Sequence, residues 1–112
     1  MIEVTVLNYL KEQLPEIKVV MEVTPGLGDE FVLIEKTGSM TSDRLKQSTF
    51  AIQSWSGSMY RAMSLNSMVV DAMLAITSLK EVSKVHLNSD YNYTDTETKH
   101  PRYQAVFDVV HY

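Results

Sequence analysis

Tyr103-Gln104-Ala105-Val106-Phe107-Asp108-Val109-Val110-His111-Tyr112 decides how this chain folds. Tyr103, Ala105, Phe107, Val109 and His111 fall on one side of an extended backbone, and Gln104, Val106, Asp108, Val110 and Tyr112 on the other. That is the period of a strand. Upstream, Val82 to Tyr93 alternates too: Val85, Leu87, Ser89, Tyr91 and Tyr93 oppose Lys84, His86, Asn88, Asp90 and Asn92. It reads as a long strand with a polar second half. Thr94 to Pro101 between them is a charged loop.

Gly57-Ser58 precedes the clearest helix, Ser58 to Thr77, which no Pro or Gly interrupts; Ser58 is placed to cap it. At 100° per residue, Met59, Ala62, Met63, Leu65, Val69, Val70, Ala72, Met73, Leu74 and Ile76 fill an arc of about 200°, wider than packing on one sheet needs. Tyr60, Ser64, Ser67 and Asp71 form the polar side, and Met68 falls off the main arc.

Further upstream, Thr49 to Trp55 reads as a strand with Phe50 and Ile52 on one face. Thr37 to Lys46 reads as a polar loop that projects from the body. Phe31-Val32-Leu33-Ile34 reads as a strand buried on both faces, which belongs in the middle of a sheet. Thr24 to Asp29 is a turn. Ile17 to Val23 alternates and reads as a strand. The first segment, Ile2 to Leu14, fits a strand in Ile2, Val4 and Val6, but Ile2, Val6, Leu10 and Leu14 recur every fourth residue and Pro15 supplies a stop, so it reads as a helix. The order is α-β-β-β-α-β-β. Strand runs joined by short connections predict an α+β fold, a mostly antiparallel sheet with two α-helices packed on one face. The 112 residues have the length of one domain, residues 1–112.

Composition narrows the chemistry. Cysteine is absent, which removes a disulfide framework, a thiolate zinc site and a cysteine nucleophile. Ten Lys plus Arg against fourteen Asp plus Glu give a net charge of -4, the wrong sign for a nucleic-acid or anionic-membrane binder. No apolar run approaches the ~20 residues of a membrane span, and no signal peptide is visible, so a cytosolic chain is expected. His86 and Asp90, four apart on a strand, share a face about 13 Å apart, too far to share a metal. His100 sits in a loop and His111 near the last residue. No serine stands in a Gly-x-Ser-x-Gly elbow. Gly26-Leu27-Gly28 lacks the third glycine of a dinucleotide fingerprint and precedes a strand. The expectation is no enzyme, with no catalytic residue, cofactor or metal.

Residues suited to protein contacts remain. Trp55, the one tryptophan, closes a strand and suits either a core or an interface. Of the methionines on the long helix, Met59, Met63 and Met73 suit the core, and Met68 an interface. Tyr91 and Tyr93 make an aromatic strand end among polar neighbours. Two loops carry charges of mixed sign: Asp43, Arg44 and Lys46 in the first, Asp95, Glu97, Lys99 and Arg102 in and beside the second. Such mixing suits register-specific docking.

Taken in order, four segments resemble the small tail-completion (tail-terminator) proteins of long-tailed, siphovirus-type bacteriophages. They are Glu30 to Gly38, the helix from Tyr60 through Leu65-Asn66 to Leu74, Leu87 to Asp95, and Arg102 to Tyr112. The likeness covers nearly the whole chain and rests on segment order, length and the closing strand. It implies a sheet packed on helices and a structural role: a homo-oligomeric ring, usually a hexamer, that caps the tail tube and joins it to the head connector. The implied partners are further copies of the chain, the major tail tube protein and the head-tail connector or neck protein, with DNA only in passage through the lumen and no membrane. The implied location is the host cytoplasm during assembly, then the head-tail junction of the virion. Another neck or head-completion adaptor is the alternative, and a small ligand-binding domain or enzyme a further one. The acidic balance suits a lumen through which DNA slides, since bound phosphates would hold it.

Overall fold

Leu14 takes φ -125° and ψ 64°, outside helical geometry, because the ring of Pro15 crowds a helical residue before it. Helix α1 therefore ends at Gln13 and spans Ile2–Gln13. The structure, a computed structural model, describes residues 1–112. After α1 come β1 (Val19–Val20), β2 (Phe31–Ser42), β3 (Leu45–Trp55), α2 (Met59–Leu74), a short 3-10 turn (Ile76–Ser78), β4 (Val82–Asn92) and β5 (Arg102–His111). The strands form a five-stranded sheet in the order β1-β2-β3-β5-β4. All neighbours pair antiparallel except β1 with β2. The fold is α+β, in the order the sequence predicts. No helix is long and apolar enough to cross a membrane.

The alternation in β5 works as read. Ala105, Phe107 and Val109 lie on the helix side, beside Phe50 and Ile52 of β3 and Val32 and Ile34 of β2. Val6 and Leu10 of α1, Leu14 just beyond its end, and Leu65, Val69 and Met73 of α2 close over them. Phe50 and Phe107 face each other across β3 and β5, both fully buried; each such side chain contributes about 1.5–3 kcal/mol by leaving water. Tyr9 lies in the same layer and donates from its hydroxyl to the Ala72 carbonyl at 2.6 Å, which ties α1 to α2. Ser58 caps α2, its Oγ accepting from the Arg61 N–H at 3.2 Å. The Ser58 cap stands beside a second tie: Glu30 accepts Arg61 through both oxygens at 2.9 Å and Ser56 Oγ at 2.8 Å.

Three expectations are corrected. Thr37 to Lys46 is not a loop: Thr37–Ser42 extends β2, Leu45 and Lys46 begin β3, and only Asp43-Arg44 turns. Both turn residues have positive φ, 49° and 70°, as a two-residue hairpin with the sheet's twist requires. This outer half of β2 is exposed on both faces, so it needs no apolar alternation, the signal by which strands are recognised. The segment Ile17 to Val23 keeps only Val19–Val20 as strand; Met21 and Val23 are exposed at 44% and 54%. Phe31-Val32-Leu33-Ile34 is an inner strand as read, paired with β1 on one side and β3 on the other, with Phe31, Val32 and Ile34 buried. The arc of α2 is narrower than its composition predicts. With one sheet to cover, Ala62, Leu65, Asn66, Val69 and Met73 are buried, while Met63 is 49% exposed and so is not a core residue.

A bulge shapes β4. Leu87 pairs with Phe107 but Ser89 pairs with Val106, so Asn88 is an extra residue. Val85 and Leu87 therefore face the helices, whereas Ser89 and Tyr91 face the other way. His86 pairs with Asp108 and Asp90 with Ala105, which places His86 and Asp90 on opposite faces and corrects the expectation that they share one.

Candidate contact surface on the open sheet face

Both helices lie on one side of the sheet, so no helix covers the other side of β2, β3, β5 and β4. Trp55 stands at the end of β3 on that side. Its ring stacks on Phe31, its cross-strand partner, with centroids 5.0 Å apart. His100 packs edge-on to the same indole at 4.9 Å, and its Nε2 lies 3.0 Å from the Asp29 carbonyl oxygen. The Thr94–Pro101 segment is thereby folded against the sheet end, which explains why Phe31 is buried although no helix covers it.

Arg102, paired with Trp55 across β3 and β5, completes the cluster. Its guanidinium carbon lies 4.5 Å from the Trp55 ring centroid and 5.1 Å from that of Tyr93. Its Nε donates to the Tyr93 carbonyl at 2.8 Å. A guanidinium gains from a ring face while its outer N–H groups stay free to donate to an acceptor. Tyr91 and Tyr93 meet edge to face at 5.9 Å and are 39% and 44% exposed, so the cluster has an accessible rim.

A hydrogen-bonded line holds the floor. Trp55 Nε1 donates to Gln53 Oε1 at 2.9 Å, Gln53 Nε2 to Gln104 Oε1 at 3.1 Å, and Gln104 Nε2 to the Tyr91 hydroxyl at 2.6 Å. It crosses β3, β5 and β4. Both glutamines are only 8% exposed, and buried amides must find partners. Further along, Asp108 accepts from Thr49 at 2.9 Å and from Asn88 at 3.3 Å.

Of the nine residues proposed from sequence, Trp55, Tyr91, Tyr93 and Arg102 thus converge. Lys99 sits nearby in the folded loop, with φ 57°. Asp43, Arg44 and Lys46 stand apart at the far end of the β2–β3 hairpin, in a molecule 43 Å long and about half as wide. Met68 lies behind the sheet, 49% exposed, in a groove of about 320 Å³ with Gln13, Leu14, Asp71, Ala72 and Ala75. Sequence reasoning missed Phe31, Gln53, His100 and Gln104. Gln53 and Gln104 stand two residues from Trp55 and Arg102, so period-two spacing would have placed them on the same face.

Two other features bear on chemistry. A groove of about 380 Å³ beside the α1 N-terminus is lined in part by Glu3, Lys36, Ser48 and His111. Ser48 Oγ and His111 Nε2 are 2.8 Å apart, and the two residues are only 2% and 5% exposed. No group of three or more His, Cys, Asp or Glu is placed to hold a metal ion. The Arg61 guanidinium, and after it the Ser56 hydroxyl, hold Glu30 below the usual carboxylate range. A hydrogen bond from its own backbone, then the Lys36 side chain, does the same for Glu3. Burial pushes the Tyr9 hydroxyl up.

Comparison with known protein families matched no family model, and comparison with curated proteins returned no match.

Proposed function

We propose that this chain is a structural subunit that forms a ring, caps the tail tube of a long-tailed bacteriophage, ends tube growth and joins the tube to the head connector. One observation carries the reading beyond the segment resemblance. Trp55, Arg102, Tyr91 and Tyr93 gather on the open sheet face, while Met63, Met68 and Leu74 are exposed at 49%, 49% and 47% on the helix layer. A ring subunit needs two different patches, each complementary to the other, because its contacts run head to tail. Trp, Tyr and Arg are the residues that dominate interface energetics, and exposed methionines suit adaptable contacts. The hairpin tip at Asp43-Arg44 supplies a third, separate surface for a tube or connector. A terminator must bind the growing end of a tube and offer the next tube ring an unlike surface.

The test is tail length. Tail tube protein polymerised with the purified chain is expected to give short, capped tubes, and a phage lacking the gene overlong or headless tails. Normal tails on infectious particles would sink the reading.

A further inference from the structure

We infer that the Arg102 cluster of one copy docks on Asp71 and Met68 of the next, an interface that rests on the ring reading above. Arg102 is fixed before any partner arrives: its Nε is held by the Tyr93 carbonyl at 2.8 Å and its plane lies over Trp55 and Tyr93. Its outer nitrogens make no hydrogen bond within the chain, and the chain's ion pairs, Lys36–Glu3 and Arg61–Glu30, do not include it. A held guanidinium with a free fork is shaped to take a carboxylate through two parallel bonds.

Asp71 is the matching group. It lies two residues from both Val69 and Met73, which are fully buried against the sheet, and so about 160° round the helix from each. Its carboxylate points away from the sheet and joins neither ion pair. It shares a groove with Met68, Leu14 and Ala72. Arg102 and Asp71 thus stand on opposite sides of the subunit, each among apolar side chains: Trp55 and Tyr93 beside the cation, Met68 and Leu14 beside the anion. Opposite charge, and a flexible thioether against aromatic rims, make the two patches complementary. Because they are different patches, the contact repeats head to tail, as a ring requires, and does not make a two-fold dimer.

Sedimentation over a concentration series tests this with the wild type, Arg102→Asp, Asp71→Arg and the double reversal. Each single reversal is expected to weaken self-association about tenfold or more, and the double reversal to restore it. Unchanged single variants, no rescue, or a strictly monomeric wild type would overturn the contact. Since the chain has no cysteine, Met68→Cys and Tyr93→Cys give an independent readout. Disulfide-linked pairs are expected when the two variants are mixed and not from either alone; pairs formed equally by one variant alone would also overturn it. Tube capping by the wild type alongside a failed charge swap would leave the ring reading standing and remove this contact. Rescue by the charge swap alongside normal tails in the gene-deleted phage would do the reverse.

Discussion

Gln104 links Gln53 to Tyr91, accepting from the first at 3.1 Å and donating to the second at 2.6 Å. One buried amide therefore sets the positions of side chains on three strands. Replacing Gln104 with Leu leaves the Gln53 amide without its acceptor and the Tyr91 hydroxyl without its donor. We expect a loss of about 1–3 kcal/mol, the cost of an unsatisfied buried polar group, read from urea unfolding. Self-association should weaken beyond that loss, because Tyr91 is no longer held.

Glu30 fastens the start of β2 to the start of α2 through Arg61 and Ser56. Its folded carboxyl titrates below the ordinary value of 4.5. The stabilisation is therefore complete above the unfolded value and is lost as pH falls through the lowered folded one. Urea midpoints measured from about pH 6 down to pH 3 should fall less steeply for Glu30→Gln than for the wild type. An unchanged acid slope would show that this carboxylate contributes nothing. Ser56→Ala, at a residue 1% exposed, should cost about 1 kcal/mol at neutral pH.

The turn at Asp43-Arg44 holds a non-glycine side chain at φ 70°. Arg44→Gly removes the clash of its Cβ with the backbone and should raise stability by about 1 kcal/mol, seen as a higher thermal midpoint. Arg44→Glu keeps the strain and should leave folding unchanged. If the hairpin tip docks on a tube or connector, the same reversal slows association and makes it more salt-dependent.

Phe107→Ala removes a fully buried ring from the middle of the sheet's covered face. A loss of about 3–5 kcal/mol is expected, enough to unfold a large share of a domain of ordinary stability. A loss below about 1 kcal/mol would mean that the helices can collapse onto the gap.

The sequence makes the element order legible because apolar period marks it. Ala105, Phe107 and Val109 alternate, and Ala62, Leu65, Val69 and Met73 follow a helical spacing, since each set must meet a core. Where no core is met the signal disappears. Thr37–Ser42 is a full strand with wet faces, and its polar residues look like a loop. The bulge at Asn88 is invisible for a related reason: strict alternation from Val85 to Tyr93 hides a change of side at the polar half. For the contact surface, residue type alone pointed to Trp55, Tyr91, Tyr93 and Arg102. Their meeting depends on the β3–β5–β4 order, which joins strands far apart in the chain.

The extra residue at Asn88 separates the length of β4 from its facing. Leu87 already points to the helices and Ser89 away from them, so a chain lacking Asn88 would keep every other side chain of the strand on its present side. Loss of one residue at a regularly paired position, such as Asp108 in β5, would turn over everything beyond it. Thr37, between Lys36 and Gly38, and Ser83, between Val82 and Lys84, mark the same kind of break. All three lie in strands at the flanks of the sheet, none in β3 or β5. Descendants of this chain can therefore gain or shed single residues along its margins, whereas its central pair must be inherited at constant length.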